Sequence, residues 1–196
     1  MITSVKAAGS GVDAFLVSDY GYGSVTARVF EAVLETARGQ GAVVAVDSRY
    51  DLPRFKGATA ATPNEPEVEA LAGAELGDER SLEKAGRVVL ERLESRYLLI
   101  TRGSRGMALL EREGPVTFMP IHGSDQIADV TGAGDTVIGA FTLALLSGST
   151  PLEAATLANY AGGIVVMKRG TATVSQAELR RAVERGPAPG GEGEPS

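Results

Sequence analysis

The chain has 196 residues, of which 43% are hydrophobic and 22% are charged, so it is long enough to form one domain with a buried core. Its net charge of −6 and its lack of basic runs argue against nucleic acid or an anionic membrane as a main partner and favour a small ligand. The absence of cysteine excludes disulfides and thiolate metal sites, and no apolar run could cross a bilayer or serve as a signal sequence, so we expect a cytoplasmic protein.

The first sixty or so residues predict a strand, a helix and two further strands. The strands are short apolar runs at residues 14–17, 42–46 and 58–62, as expected for parallel strands that helices cover on both faces. Between the first two runs, apolar residues recur at intervals of three and four. This spacing predicts an amphipathic helix that Ser24 caps and that Gly39 and Gly41 stop.

The middle of the chain continues this alternation and then changes to a hairpin. Asn64 is a suitable cap for a short helix, and Ser81 for a longer amphipathic one. A fourth strand is predicted at residues 97–101. Residues 107–111 and 116–119 are separated by a Glu-Gly-Pro turn, which predicts an antiparallel hairpin.

Three more helices are predicted towards the carboxyl end. The helix at residues 137–146 is apolar all round, so we expect it to be buried in the middle of the domain. Another begins at Pro151, and the last begins at Ser175. We assign residues 1–185 to one domain and expect the glycine- and proline-rich tail, residues 186–196, to be disordered.

A glycine-rich turn precedes the apolar helix, where residues 129–141 read DVTGAGDTVIGAF. The small residues at 132–134 let a ligand approach the backbone, and the unpaired N–H groups of a first helical turn stabilise an anion there. A carboxylate beside an anion site is repelled by the anion, so Asp135 suggests a chemical task such as accepting a proton from an attacking hydroxyl. A plain tight turn with a favourable first-turn acid explains the same residues equally well.

This stretch resembles, position for position, the second signature of the ribokinase/phosphofructokinase-B (PfkB) family of carbohydrate kinases. Three further segments resemble family elements in the right order: an Asn-x-x-Glu element at 64–67, a Thr-x-Gly-x-x-Gly nucleotide turn at 101–106, and an adenine-side region that includes Asn159. Within the family, three segments look closest to the heptose-7-phosphate kinase half of ADP-heptose synthase: residues 18–23, 55–64 and 129–139.

The resemblance implies an α/β fold of the ribokinase-like type, with a mainly parallel sheet and helices on both faces in three α/β/α layers. It also implies an enzyme, a phosphotransferase that moves the γ-phosphate of ATP to a sugar hydroxyl. In this comparison Asp135 is the base that takes the hydroxyl proton. The anion hole consists of the backbone amides of Gly132, Ala133 and Gly134.

The resemblance further implies magnesium and nucleotide contacts. Asn64 and Glu67 act on Mg²⁺ through its water shell, although a helix cap and a solvated first-turn acid also explain them. The residues expected along the nucleotide are Thr101, Gly103 and Gly106, with Asn159 near adenine. For the two glycines a plain turn remains an alternative.

The resemblance also implies residues that bind a second cation and a residue that faces the acceptor. Asp129 and Thr131 match positions that bind a monovalent cation, K⁺, in some relatives, and an Asx-type turn explains them equally well. Asp19 follows a strand at its carboxyl end, so it is expected to face the acceptor, and the alternative is that it caps its own loop.

On the acceptor side the chain departs from the family. We expect the family's N-terminal part, which holds much of the sugar-contact surface and the β-strand lid, to be absent. Two positively charged side chains that are usual in the heptose kinases are also lost or altered, at Tyr22 and at Ser48-Arg49. The predicted function is a kinase for a sugar or sugar phosphate, possible acceptors including a heptose phosphate. Its exposed sheet edge is expected to pair with a second copy or with a separate N-terminal chain. The alternative is a non-catalytic protein that binds a nucleotide or a sugar phosphate.

Overall fold

A six-stranded sheet forms the centre of the molecule in the computed structural model, which describes residues 1–123 and 131–186. The strands lie in chain order as β1 (Ala14–Asp19), β2 (Val43–Ser48), β3 (Ala60–Ala61), β4 (Tyr97–Thr101), β5 (Met107–Glu111) and β6 (Val116–Met119). Strands β1 to β4 pair in parallel, whereas the β4–β5 and β5–β6 pairings are antiparallel. The mainly parallel sheet and its terminal hairpin are therefore confirmed.

Helices cover both faces of this sheet. In the described ranges they are α1 (Ile2–Ala8), α2 (Ala27–Gln40), α3 (Glu65–Ala72), α4 (Glu79–Leu93), α5 (Ala133–Leu146), α6 (Pro151–Val166) and α7 (Gln176–Arg185). Helices α2 and α4 pack on one face, and α5 and α6 pack on the other. The three α/β/α layers agree with the sequence expectation. None of these described helices is both long and apolar enough to cross a bilayer.

Two separate cores result from the alternation of side chains along the strands. In β4, Leu98 and Ile100 belong to the cluster with α2 and α4, whereas Leu99 belongs to the cluster with α5 and α6. All three side chains are fully buried. The strand therefore needs apolar residues on both faces, which explains its continuous apolar run.

Several helix starts differ from the sequence expectation. Helix α2 is capped by Thr26, whose hydroxyl accepts a hydrogen bond from the Val29 N–H, so the cap predicted at Ser24 is wrong. Helix α4 is capped by Asp78, and Ser81 is the third helical residue, which completes a capping box with it. The sequence also did not predict α1, because that helix buries no residue and therefore has no clear apolar face.

Helix α5 is not buried all round, contrary to the expectation from its composition. Its inner face carries Ile138 and Phe141, which are fully buried, whereas Leu143 is 67% exposed. The physical reason is position: α5 packs over β1 and β2, and β1 is the edge strand of the described sheet. Leu16, on β1, is likewise 47% exposed. An apolar surface therefore remains at this edge.

Candidate active site

A cleft of about 270 Å³ opens at the carboxyl ends of the parallel strands, where open α/β sheets place their ligands. Its walls come from the ends of β2 and β4, the start of α3, the first turn of α5 and the middle of α6. The cleft brings together most of the residues that the sequence predicts for a site: Asn64, Glu67, Thr101, Gly103, Gly106, Ala133, Gly134 and Asn159. Their individual roles remain predictions.

The first turn of α5 lies at this cleft without a side-chain cap. The N-cap is Gly132, whose φ of +79° favours glycine, and it has no side chain to accept a hydrogen bond from the turn. By contrast, a side chain caps each of the other described helices of eight or more residues. Because Ala133 and Gly134 line the cleft, the positive end of α5 is directed towards it. This arrangement suits an anion such as phosphate.

Asp135 lies one residue beyond the cleft wall, on an exposed part of the same turn. The phenol of Tyr20 donates to both of its carboxylate oxygens, at 3.0 and 2.9 Å. The Ser18 hydroxyl is 3.5 Å from one of them. The hydrogen bond to Asp135 raises the pKa of Tyr20, because a phenolate would face the carboxylate. The end of β1 and the start of α5 therefore meet at this carboxylate.

Two further carboxylates line the cleft. Burial raises the pKa of Asp47, on β2, and Arg49 opposes this shift. Burial also raises the pKa of Glu67; the N–H of Asn64 lowers it, and Asp47 raises it further. Two partly buried carboxylates that repel each other favour a cation between or beside them.

The pair Asn64 and Glu67 also forms the predicted helix cap. The Asn64 side-chain oxygen accepts from the Glu67 N–H, and the Glu67 carboxylate accepts from the Asn64 N–H, each at 2.9 Å. Asn64 therefore caps α3, as the alternative explanation from the sequence predicted. It does not compete with a metal role, since both residues also line the cleft.

The donor atoms at the cleft suit a hydrated magnesium ion, which prefers oxygen ligands and retains several waters. Asp47 and Glu67 supply carboxylate oxygens, and the start of α5 would face the phosphates. Within residues 1–123 and 131–186, no group of three or more acidic or histidine side chains is arranged to hold a metal ion. A magnesium ion here would take its other ligands from water and phosphate oxygens.

The predicted nucleotide turn, residues 101–106, contributes to the cleft wall, and the backbone of the turn also explains one of its glycines. Gly106 has a φ of +84°, and an added Cβ would lie 2.1 Å from the carbonyl oxygen of Met119. Gly103 has a φ of +57° but faces open space. Asn159 is buried, and its side chain donates to the carbonyl of Pro120 at 2.6 Å. This bond holds the exit of β6 against α6.

Asp19 shows the loop-capping contacts that the sequence offered as an alternative. It is 4% exposed, and its carboxylate accepts from the Ser48 hydroxyl at 3.0 Å, the Arg54 guanidinium at 3.0 Å and the Gly21 N–H at 3.2 Å. A contact with the acceptor remains a prediction. Of the two residues predicted for a monovalent cation, Thr131 is exposed just before the N-cap of α5, and Asp129 lies outside the described residues.

Sequence reasoning assigned no role to Tyr20 or Asp47, and it noted Arg49 only as part of an altered acceptor-side cation position. Arg49 lines the cleft, and its guanidinium lies 5.6 Å from the ring centre of Tyr20. A usable signal was present, because all three lie at or just beyond the carboxyl ends of β1 and β2. Polar residues there reach the ligand edge of a parallel sheet.

Comparisons with known proteins identify the family of the chain. The model of the pfkB family carbohydrate kinases matches residues 10–178. The "Bifunctional protein HldE" of Pelobacter propionicus is 41% identical over 180 residues, which cover 91% of this chain and 37% of that protein. Its namesake from Chromohalobacter salexigens is 44% identical over 180 residues, with the same coverage. The chain thus spans little more than a third of the length of these relatives.

Solved structures show the same fold. Phosphofructokinase-2 from Escherichia coli, in complex with potassium, has a TM-score of 0.79 at 20% identity, covering 94% of this chain and 61% of that one. Ribokinase from Thermotoga maritima has a TM-score of 0.72 at 26% identity, covering 91% and 59%. These similarities confirm the ribokinase-like fold.

Asp47→Asn is expected to raise the melting temperature at pH 8 by a few degrees, because burial penalises the charged carboxylate. Since the folded state binds this proton more tightly than the unfolded state, the penalty is present above the folded-state pKa. It disappears as the pH falls towards the ordinary value of 3.8, and the gain should disappear with it. Thermal unfolding at pH 8 measures the gain in melting temperature, and thermal unfolding at pH 4 measures its loss. The control is Asp13→Asn, at an exposed position. An equal gain at the two pH values would contradict the prediction.

Proposed function

Since the chain belongs to the pfkB family of carbohydrate kinases, we propose that it transfers the γ-phosphate of ATP to a hydroxyl of a sugar or sugar phosphate. One observation carries this proposal: the uncapped start of α5 and the predicted magnesium and nucleotide residues converge on one cleft, with Asp135 beside it. In-line phosphoryl transfer depends mainly on positioning and charge stabilisation, and this cleft offers both.

The proposal assigns roles to residues in the cleft and beside it. The amides of Gly132, Ala133 and Gly134 stabilise the charge on the transferred phosphoryl group. Asp135 accepts the proton of the acceptor hydroxyl. Asn64 and Glu67 would hold Mg²⁺ through its water shell, and the ion would supply positive charge against the phosphates.

The nucleotide lies along the turn after β4 and extends towards α6. Its proposed contacts are Thr101, Gly103, Gly106 and Asn159. We also propose a potassium ion near Asp129 and Thr131, at the approach to α5. The similar phosphofructokinase-2 was solved in complex with potassium, which supports this part of the proposal.

For the acceptor we propose a heptose phosphate. The support is the similarity of residues 18–23 to heptose-7-phosphate kinases and the identity of about 40% with the HldE relatives. Arg49 is exposed at the cleft and offers a positive charge to an acceptor phosphate.

Asp135→Asn is expected to lower kcat for phosphoryl transfer by about 10²- to 10⁴-fold, because it removes the base but keeps the shape of the side chain. ATP affinity should be kept or increased, since the base acts on the acceptor and its charge no longer repels the phosphates. The measurements are ADP release from MgATP with a panel of sugars and sugar phosphates, and calorimetric titration with ATP. Asp13→Asn, at the opposite end of β1, is the matched control.

The outcomes separate two functions. Equal turnover in wild type and Asp135→Asn would exclude Asp135 as the base. ATP binding without transfer to any acceptor would instead favour a nucleotide-binding protein.

We further propose that a second polypeptide segment covers the edge strand β1 and the apolar surface formed by Leu16 and Leu143. The support is the exposure of these side chains and the open side of β1 in the described sheet. The candidates are a second copy of this chain and a separate chain that carries the N-terminal part of the fold.

The wild-type chain is therefore expected to show a mass above 20.3 kDa by light scattering at high concentration, or after mixing with such a partner. Leu143→Lys should reduce this mass, because it places a charge within the apolar surface. Val88→Lys is the control, since Val88 is partly exposed on α4, on the opposite face of the sheet. A wild-type protein that stays monomeric in both experiments would contradict the proposal.

A further inference from the structure

The contact between Tyr20 and Asp135 controls the orientation of the carboxylate. A single phenol donates to both oxygens, at 3.0 and 2.9 Å, so rotation about the last side-chain torsion would lengthen one of the two contacts. This torsion is otherwise broad for aspartate, and the residue is exposed. The Ser18 hydroxyl also donates to one of these oxygens, but at 3.5 Å, so the phenol is the stronger constraint on this torsion.

Tyr20 is itself anchored. Its neighbour Asp19 is buried, and the Arg54 guanidinium and the Ser48 hydroxyl both donate to the Asp19 carboxylate at 3.0 Å. The Gly21 N–H donates to the other Asp19 oxygen. On the ring side, the Arg49 guanidinium lies over Tyr20. The phenol therefore reaches Asp135 from a fixed backbone.

We propose that Tyr20 is the positioning residue for Asp135, a role that rests on the proposed function. The single phenol O–H is shared between the two carboxylate oxygens, and the Ser18 hydroxyl contacts one of them at 3.5 Å. Since a carboxylate has about four lone-pair sites, room remains for the acceptor hydroxyl. In the transfer step the acceptor oxygen bonds to the γ-phosphorus, and the bond from that phosphorus to the ADP oxygen breaks. The hydroxyl proton passes to Asp135, and Tyr20 keeps its own proton throughout.

Two properties of the contact favour positioning over the other roles that a tyrosine can have. The raised pKa of Tyr20 keeps its phenol protonated at neutral pH, so it does not replace Asp135 as the base. Tyr20 is also 40% exposed, where water competes for hydrogen bonds, so the contact contributes little to the free energy of unfolding. Its main effect is on the carboxylate.

Tyr20→Phe tests this role, because it removes the O–H and keeps the ring under Arg49. We expect kcat to fall about 10- to 100-fold, with less than about a twofold change in KM for MgATP and no change in melting temperature. The matched control is Tyr50→Phe, which makes the same chemical change on a side chain that is 79% exposed and has no role in the proposal. An unchanged kcat, an equal loss in the control, or a loss accompanied by a lower melting temperature would overturn the assignment.

A second experiment does not require activity. With tyrosine labelled at the ζ-carbon, nuclear magnetic resonance follows the titration of each phenol, and the Tyr20→Phe spectrum identifies the Tyr20 signal. We expect Tyr20 to titrate above the ordinary value of 10.0 and to return towards it in Asp135→Asn. A Tyr20 that titrates at the ordinary value in the wild-type protein overturns the contact. A shifted Tyr20 in a protein that transfers phosphate to no acceptor overturns the proposed function instead, and the catalytic role of the contact with it.

Discussion

The uncapped start of α5 is the constraint on which the site depends. Every helix begins with N–H groups that lack partners within the helix, and the other described helices of eight or more residues satisfy part of this need with a capping side chain. Gly132 cannot do so, and its positive φ directs the first turn into the cleft. The resulting positive potential suits phosphate. Asp47 and Glu67 would repel the same phosphate, so a bound anion there needs a cation to accompany it.

Parallel pairing explains why residues far apart in the chain meet at this cleft. Asp19 and Ser48 end β1 and β2 and lie opposite each other in register, and Thr101 ends β4 on the same edge of the sheet. The antiparallel hairpin then brings the residues after β6 against Gly106, whose missing side chain permits that approach. The sheet supplies rigid positions, and the loops at its carboxyl edge supply the chemistry. Burial of the charged Asp47 side chain lowers the stability of the fold, and it gives the cleft a charged wall.

The edge strand β1 connects the site to the apolar surface at Leu16 and Leu143. Strand β1 ends at Asp19, which anchors Tyr20, and Tyr20 contacts Asp135 at the start of α5. The same strand and helix expose Leu16 and Leu143. A segment that covers β1 would therefore lie close to Asp135, and it would reduce the access of water to that carboxylate.

The sequence by itself determined the strands, the hairpin, the Asn64 cap and the glycine at the start of α5, because each depends on residues within a few positions of one another. Helix α5 nevertheless begins at Ala133, four residues before the predicted start. It also indicated most of the cleft residues, since its motifs follow strands whose carboxyl ends share one edge. Only the tertiary structure decided that Tyr20 reaches Asp135 across 115 positions of the chain, and that Asp19 is occupied by Ser48 and Arg54. It alone showed that α5, apolar on every side, leaves Leu143 exposed, because burial depends on which strand lies at the edge and on what packs beyond it. No local pattern contains that information.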